Sequence, residues 1–275
     1  MNCLEIICVG NELLIGKTLN TNATWLARRV TALGLTVKRI VVIGDELDEI
    51  AETVQETLRR KPDFIITTGG LGPTFDDKTL EGIARGLNRQ LEVDEEALKM
   101  VRQKYVAYLE KTGKTENIEL TPPRVKMATL PEGTRPLPNP VGTAPGVIAE
   151  VEGTFIIALP GVPPEMEAIF DGSVAGIFKQ RAGKSGFFEK SIYVEEIMES
   201  NLAPLIDKVM HDNPYVYVKS HVYTKSVVQV EEGRSRIELH FSTTADDPET
   251  ARNRLDKSVF ELSELVLKNG GKIRT

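Results

Sequence analysis

The first part of the chain alternates short apolar runs with stretches in which apolar residues recur at helical spacing. The pattern predicts strands at 4–9, 36–43 and 63–66, and helices at 23–33, 47–60 and 78–87. Because a helix follows each strand, the pattern is typical of a parallel sheet covered by helices on both faces. We therefore predict an α/β fold built on a mostly parallel sheet.

The pattern becomes less regular after these repeats. It predicts a charged helix at 94–111, a surface loop at 112–123, a short strand at 124–130, a rigid proline-rich connection at 131–138 and a loop at 139–146. Strands at 147–150 and 155–159 form a predicted hairpin, and a helix starts within 160–166. These elements complete a first domain that we assign to residues 1–181.

The remaining chain has a different pattern and predicts a second, smaller α+β domain at 187–275, after a linker at 182–186. The predicted order is a strand, a helix, two strands and a final helix. The strands lie at 190–195, 214–224 and 235–243, and the helices at 199–210 and from Asp246–Pro248 to Gly270–Gly271.

The stretch Thr67–Thr79 joins the third strand to the next helix and is rich in glycine and aspartate. Glycine allows positive φ and close approach of a ligand, and consecutive amides at such a turn bind anions. Asp76 and Asp77 follow, and adjacent carboxylates beside a phosphate cradle indicate a divalent cation, because hard cations prefer oxygen ligands. The alternative is a tight turn whose aspartates cap the helix.

Acidic residues also follow the first two strands. Glu12 comes after the first strand and Asp45 after the second. Because ligands bind beyond the carboxyl ends of parallel strands, we expect these carboxylates to meet the glycine-rich stretch at one edge of the sheet. Alternatively, Asp45 caps the helix that follows it and Glu12 is an ordinary surface acid.

Composition limits the partners of this protein. Its 275 residues carry a net charge of −6, and the pI is about 5.4. This argues against a nucleic-acid partner but not against a small phosphate ligand. The sequence shows no membrane span and no signal peptide, so we expect a cytoplasmic protein. Cys3 and Cys8 point to opposite faces of one strand and should stay reduced.

One strand of the second domain has an aromatic face, formed by Tyr215, Tyr217 and Tyr223. Such a face could stack on nucleic-acid bases, but the negative charge of the chain argues against this. Packing on a helix or on a neighbouring subunit fits better, and it favours a homodimer.

Several motifs occur in a fixed order between residue 4 and about residue 180. They are Gly10-Asn11-Glu12-Leu13-Leu14-Ile15-Gly16, Thr21-Asn22, Gly44-Asp45, Thr68-Gly69-Gly70-Leu71-Gly72-Pro73-Thr74 with Asp76-Asp77 and Thr79, Asn139-Pro140 with Gly142-Thr143-Ala144-Pro145-Gly146, and Leu159-Pro160-Gly161-Val162-Pro163 with Glu165-Met166. In these motifs the chain resembles the CinA family (competence/damage-inducible protein A, or CinA-related nucleotide pyrophosphatase).

The resemblance implies a three-layer αβα molybdopterin-binding (MogA/MoaB-like) domain followed by a KH-like domain. It also implies a metal-dependent pyrophosphatase that hydrolyses ADP-ribose, or a related nucleoside diphosphate sugar, to AMP and ribose 5-phosphate. The implied cofactor is a divalent ion (Mg, Co or Mn), with a monovalent ion such as K as a further one. Some members carry a C-terminal deamidase domain; this sequence ends before it, so no deamidase activity is expected.

The resemblance also assigns roles to residues. Glu12, Asp45 and Asp77 are the implied metal ligands and water-activating groups, and which of them is the base stays open. The implied substrate-binding residues are Thr21, Asn22, Gly69, Gly70, Gly72, Thr74, Asp76, Asn139, Gly142, Ala144, Gly146, Pro160 and Gly161.

Other functions remain open for the same fold. Molybdopterin binding, or adenylyl transfer in molybdenum cofactor biosynthesis, would use the same glycine-rich loop. A nucleotide-binding protein without turnover is a third hypothesis. The order of the motifs favours the pyrophosphatase.

Overall fold

The computed structural model describes residues 2–112, 120–183, 186–223 and 236–274. The chain divides into two compact units, Met1–Thr31 with Leu35–Ala182, and Ala32–Gly34 with Gly183–Thr275. Parts of the predicted loop at 112–123, of the predicted linker, and of the predicted strands at 214–224 and 235–243 lie outside the described residues.

The first unit is built on a mixed sheet with the strand order β2-β1-β3-β8-β7-β6. Strands β1, β2, β3 and β8 are parallel to one another, whereas β7 pairs antiparallel with both β8 and β6. The strands are β1 Cys3–Val9, β2 Thr36–Ile43, β3 Phe64–Thr68, β6 Arg135–Leu137, β7 Gly146–Val151 and β8 Thr154–Leu159, with a separate pair, β4 Leu91–Val93 and β5 Thr129–Pro131. The prediction of a mostly parallel α/β sheet is confirmed.

Helices cover this sheet because its central strands are apolar on both faces. Ile6, Ile7, Ile65 and Ile66 of β1 and β3 are almost wholly buried. The helices are α1 Asn11–Leu14, α2 Thr21–Ala32, α3 Leu47–Arg59, α4 Thr79–Gly86, α5 Glu95–Thr112, α6 Pro122–Lys126, α7 Pro163–Ile169 and α8 Ala175–Ala182, with a π-helical turn, Phe170–Val174, between α7 and α8. The amphipathic stripes predicted from the sequence supply the buried residues of α2 and α3.

The predicted strand at 124–130 is wrong. Residues 124–126 belong to α6, which begins with two prolines, and only Thr129–Pro131 forms a strand. Proline presets the backbone torsion of a first helical turn and lacks the N–H that a strand ladder needs, so the two prolines decide the local structure. The partner strand Leu91–Val93 has three residues, too few to show a period along the sequence.

The second unit is an antiparallel sheet with the strand order β10-β11-β9-β12, packed on two helices. Its elements are β9 Gly186–Glu195, α9 Glu199–Asp212, β10 Val216–Tyr223, β11 Arg236–Ala245, α10 Pro248–Lys268 and β12 Lys272–Arg274. The predicted order is confirmed, and β12 is added to it. The Asp247 carboxylate caps α10, since its Oδ1 accepts a hydrogen bond from the Thr250 amide at 2.8 Å.

The aromatic face of β10 remains mostly open in the described chain. Tyr215 is 69% exposed and Tyr217 is 58% exposed, and the side chain of Tyr223 lies outside the described residues. The Arg254 guanidinium of α10 lies 4.5 Å from the centre of the Tyr215 ring. The expected packing on a helix is therefore limited to Tyr215, and the homodimer stays a prediction.

Cys3 and Cys8 are both free, as the sequence predicts. Cys8 is buried, and this burial raises the pKa of its thiol. No helix in the described parts of the chain combines the length and the apolar character that crossing a membrane requires.

One ion pair connects β1 to the end of α3. Glu5 is only 4% exposed, and its carboxylate accepts hydrogen bonds from Arg60 Nε at 2.9 Å and Arg60 Nη2 at 2.7 Å. Thr57 Oγ1 accepts another hydrogen bond from Arg60 Nη2 at 3.0 Å. Without Arg60, a charged carboxylate would be left unpaired beside the central strand.

We predict that Arg60→Met lowers the free energy of unfolding by about 2–3 kcal/mol. This is below the roughly 3–5 kcal/mol of a fully buried pair, because the Arg60 side chain is 32% exposed. Urea titration measures the change. Glu5→Leu combined with Arg60→Met should recover most of the loss, since no buried charge is then left unpaired. A double variant as unstable as Arg60→Met would contradict this interpretation.

Candidate functional site

The candidate site lies where the parallel strands of the first unit end. The carboxyl ends of β1, β2, β3 and β8 meet at one edge of the sheet, and each is followed by a segment that lines the same cavity. The antiparallel strand β7 starts at this edge, so the loop at 139–146 arrives there as well. This is the edge at which open α/β sheets bind ligands.

A tight turn after β3 forms the floor of the site. Gly69 has φ of 107° and Gly70 has φ of 65°, conformations that side-chain-bearing residues rarely adopt. A Cβ on Gly69 would collide with the carbonyl oxygen of Val9. The Gly69 amide donates to Leu159 O at 3.0 Å, and Thr79 Oγ1 donates to Gly69 O at 2.8 Å. The turn is therefore fixed between β1, β8 and α4.

Three successive amides after Gly69 are left for a ligand. Among the described residues, the N–H groups of Gly70, Leu71 and Gly72 have no protein acceptor. Leu71 is buried and the two glycines are half-buried. Consecutive amides in a turn with positive φ form a concave anion site, so this turn can hold a phosphate.

The residues after the turn are held by their own hydrogen bonds. Asp77 Oδ2 accepts from the Thr74 amide at 2.8 Å and from Thr74 Oγ1 at 2.5 Å. Thr74 Oγ1 also contacts Asp76, and this hydrogen bond is the largest cause that lowers the pKa of the Asp76 carboxyl. The cap of α4 is Lys78, without a side-chain bond. The alternative that the aspartates cap this helix is therefore wrong.

Lys126 of α6 supports the same loop through hydrogen bonds to its carbonyl groups. The sequence did not predict this role. Its Nζ donates to Asp77 O at 2.7 Å, to Thr74 O, and more weakly to Gly72 O at 3.4 Å. Burial lowers the pKa of Lys126, although the nearby carboxylates of Asp77 and Asp76 act against this. The position was missed because the segment was assigned to a strand.

The cavity above the turn has a volume of about 370 Å³ and is lined by carboxylates. We call it the carboxylate cavity. Besides the glycine turn and Ala144, Pro160 and Gly161, the lining residues include Glu12, Asp45, Asp76, Asp77 and Glu165. The structure thus brings the three predicted metal ligands to one cavity and adds Glu165, which belongs to one of the sequence motifs but had no predicted role.

A backbone amide holds Asp45 at the rim, and the Glu12 carboxylate lies close to the Gly10 backbone. Asp45 Oδ2 accepts from the Asn11 amide at 2.9 Å. The cap position of α3 is Glu46, so the alternative that Asp45 caps this helix is wrong. The Glu12 carboxylate lies against Gly10, where an added Cβ would be 2.5 Å from Glu12 Oε1. Each carboxylate keeps an oxygen that can face a ligand.

Asn139 organises the neighbouring loop from a buried position. Its Oδ1 accepts from the amides of Val141 at 3.1 Å and Gly142 at 2.7 Å. Its Nδ2 donates to Ala144 O at 2.8 Å and to Glu165 Oε2 at 2.7 Å. These bonds occupy both the oxygen and the NH₂ group of its side-chain amide. Asn139 therefore positions Glu165 and the loop around it.

The predicted loop residues divide between the cavity wall and the core. Gly142 lets the Glu165 carboxylate lie directly on its backbone, because a Cβ there would collide with that carboxylate. Ala144 lines the carboxylate cavity. Gly146 lies in β7, where its missing side chain makes room for Ile169. Gly146 is therefore a packing residue.

A small side cavity of about 90 Å³ lies beside the carboxylate cavity and is lined by Thr21, Asn22, Gly69, Gly161 and Glu12, among others. Asn22 is 9% exposed, and its Nδ2 donates to Gly161 O at 2.8 Å and to Thr68 Oγ1 at 3.1 Å. Its Oδ1 has no partner in the described structure. An unpaired buried acceptor is costly, so this atom is suited to a donor on a ligand.

The donor set fits a divalent cation that arrives with its ligand. Among the described residues, no group of three or more His, Cys, Asp or Glu side chains forms a ready-made metal site. The carboxylates are nevertheless hard oxygen donors at the wall of one cavity, next to amides that suit phosphate. Ions such as Mg²⁺ are commonly held by one or two carboxylates together with substrate phosphates, which is the arrangement offered here.

Comparison with known proteins agrees with this geometry. The model of the family described as "Probable molybdopterin binding domain" matches residues 5–180. The chain belongs to this family. The first unit is also CinA-like: it resembles the crystal structure of the protein CinA, of unknown function, from Thermoplasma acidophilum. The two are 44% identical with a TM-score of 0.57, and the match covers 64% of this chain and 99% of that one.

Two relatives match nearly the whole length. A protein of Pyrobaculum calidifontis is 44% identical over 261 residues, which is 95% of this chain and 94% of the relative. A protein of Caldivirga maquilingensis is 44% identical over 258 residues, which is 94% of each chain. The KH-like character of the second unit stays a prediction.

We predict that Thr74→Val raises the pKa of Asp76 toward its ordinary value of 3.8, because the Thr74 hydroxyl is the main cause of the lowering. A lowered pKa contributes stability that is present above the ordinary pKa and is lost as the pH falls through the lowered one. Carboxyl titration by NMR measures the shift. Thr24→Val, a change at an exposed position of α2, is the control. An unchanged Asp76 titration in Thr74→Val would refute the assignment.

Proposed function

We propose that this protein is a metal-dependent pyrophosphatase that hydrolyses ADP-ribose, or a related nucleoside diphosphate sugar, to AMP and ribose 5-phosphate. One observation carries the proposal: three amides without protein acceptors lie beside a cavity lined by five carboxylates. Amides without charge suit a phosphate, whereas five carboxylates repel one. A ligand that brings a phosphate together with cations suits both the amides and the carboxylates.

The chain's own residues would bind such a ligand as follows. The amides of Gly70, Leu71 and Gly72 hold one phosphate of the diphosphate. Carboxylates among Glu12, Asp45 and Asp77 would contact the divalent ion, and phosphate oxygens of the ligand would complete its coordination. Mg, Co and Mn are the candidate ions, with K as a further ion. The unpaired Asn22 Oδ1 accepts a hydrogen bond from a ligand hydroxyl.

Hydrolysis of the diphosphate needs mainly positioning and charge compensation. The oxygen of water forms a bond to one phosphorus while the bond from that phosphorus to the bridging oxygen breaks. A carboxylate of the cavity accepts the proton of the water, and the bridging oxygen leaves with the second phosphate. A bound divalent ion neutralises the phosphates and lowers the pKa of its water. Lys126 and Thr74 keep the loop that carries Asp77 in place.

A second function is favoured by the family match. The matching model describes a probable molybdopterin binding domain, and a pterin phosphate or an adenylyl group would use the same turn. Under this proposal the protein binds molybdopterin or transfers an adenylyl group during molybdenum cofactor biosynthesis. Glu165 and the other carboxylates would then serve an ion shared with a nucleotide rather than hydrolysis.

We predict that the purified protein releases AMP from ADP-ribose in the presence of a divalent ion, and that Asp77→Asn lowers kcat by roughly 10²–10³-fold. Asn keeps the size of the side chain and an acceptor for Thr74, so the fold should remain intact. AMP release measured by chromatography gives the rate, and circular dichroism checks the fold. Asp207→Asn, an exposed change in the second unit, is the matched control.

Three results would each contradict one part of this proposal. Full activity in Asp77→Asn would show that Asp77 is not part of the site. AMP release that persists in excess chelator would show that the reaction needs no divalent ion. No turnover of any dinucleotide, together with formation of an adenylated pterin from ATP and molybdopterin, would establish the second function instead.

We further predict that Mn²⁺ binds weakly to the protein alone and at least tenfold more tightly when a diphosphate ligand is present. The reason is that no three described carboxylates form a complete site, so phosphate oxygens must complete it. Paramagnetic resonance of free Mn²⁺ measures both affinities, with a non-hydrolysable ADP-ribose analogue as the ligand. Equal affinities would show that the carboxylates suffice by themselves.

A further inference from the structure

A larger cavity, of about 480 Å³, adjoins the carboxylate cavity in the first unit. Gly70, Leu71, Gly72 and Asp77 line both cavities. A ligand whose phosphate lies on the glycine turn can therefore extend into this second space. We call it the ring cavity.

The walls of the ring cavity are mainly aliphatic. Leu71 and Leu80, which are almost fully buried, line it together with Leu91, Leu120 and Val125. Such walls, with a few placed polar groups, are typical of sites for flat organic rings. The aliphatic part of these walls suits an apolar ring face better than a phosphate or a free sugar, whose surfaces are polar.

The described polar side chains of this lining have acceptors, but no free donors, left for a ligand. Thr129 Oγ1 donates its hydrogen to Val125 O at 2.9 Å, so only its lone pairs remain, and these can accept a hydrogen bond from a ligand. Lys126 Nζ directs its hydrogens at the loop carbonyls of Gly72, Thr74 and Asp77, so its three donors are used. Glu81 and Asp77 supply carboxylates, and Glu81 is exposed without a hydrogen-bond or ion-pair partner in the described structure.

We propose that the ring cavity binds the heterocycle of the ligand, and that Glu81 selects rings with an exocyclic amino group. A carboxylate accepts a hydrogen bond from an amino group and repels the carbonyl oxygen that replaces it in a keto ring. Adenine and pterin both carry such an amino group. The inference rests on the proposed function, since the phosphate of the ligand must lie on the glycine turn.

Binding of mononucleotides tests this selection without requiring turnover. Calorimetric titration of the whole protein with Mg²⁺ should show AMP binding roughly tenfold more tightly than inosine monophosphate, in which a keto group replaces the amino group. Glu81→Gln should remove most of that difference, because an amide can donate to the keto oxygen as well. Glu52→Gln, an exposed change on α3, is the control and should keep it.

Filling the ring cavity tests its location. Leu91→Trp should weaken AMP roughly tenfold and leave ribose 5-phosphate, which has no ring, unchanged. Val93→Trp lies on the same strand, is similarly exposed and is absent from the lining, so it is the matched control. Thermal unfolding of both variants shows whether either has lost its fold, and Glu81→Gln provides an independent readout.

The outcomes separate this inference from the hydrolase proposal. Equal affinities for AMP and inosine monophosphate in the unmodified protein, or AMP binding unaffected by Leu91→Trp, would overturn the inference. AMP binding that is sensitive to Leu91→Trp in a protein without ADP-ribose turnover would support the ring cavity and reject the hydrolase. If a pterin binds more tightly than AMP and this binding is lost in Leu91→Trp, the cavity is supported and the ring that it binds is a pterin.

Discussion

The close approach of Gly69 to the carbonyl oxygen of Val9 is the contact on which the site depends. It is possible only without a Cβ and only at the positive φ of this residue. The contact joins the ends of β1 and β3, while the Gly69 amide joins the turn to β8 through Leu159. Because these ends are fixed to one another, the segments that follow them reach one cavity. A side chain at Gly69 would displace the turn and the rim together.

The electrostatics of the site follow from this convergence. Each parallel strand contributes an acidic residue to a common wall, and the turn contributes amides without charge. An anion alone is repelled by such a wall, and a cation alone finds an incomplete set of ligands. Under the proposed function, a phosphate ligand and its cations would bind here together. Thr74 and Lys126 support the acidic loop through several hydrogen bonds to its carboxylates and carbonyl groups.

Sequence patterns predicted the regular elements well where they are long. The apolar runs of β1 and β3, the stripes of α2 and α3, and the hairpin of β7 and β8 all have a clear period. Short elements were missed: β4, β5, β6 and β12 each have three residues, which is too few for alternation to show. The strand predicted at 124–130 failed because two prolines start α6 there. That error concealed Lys126, whose role depends on carbonyl groups some 50 residues away in the chain.

By itself the sequence determined the parallel α/β architecture, the glycine-rich turn after β3 and the acidic residues after β1 and β2, because local period and residue type carry this information. It could not determine which carboxylates share a cavity, that Glu165 joins them, or that Asp45 contacts the Asn11 amide instead of capping α3. It also left open whether Asn139 contacts a ligand or, as its four hydrogen bonds show, shapes the loop. These are long-range contacts between segments, and only the packing of the tertiary structure decides them, since the order of strands in the sheet sets which loops become neighbours.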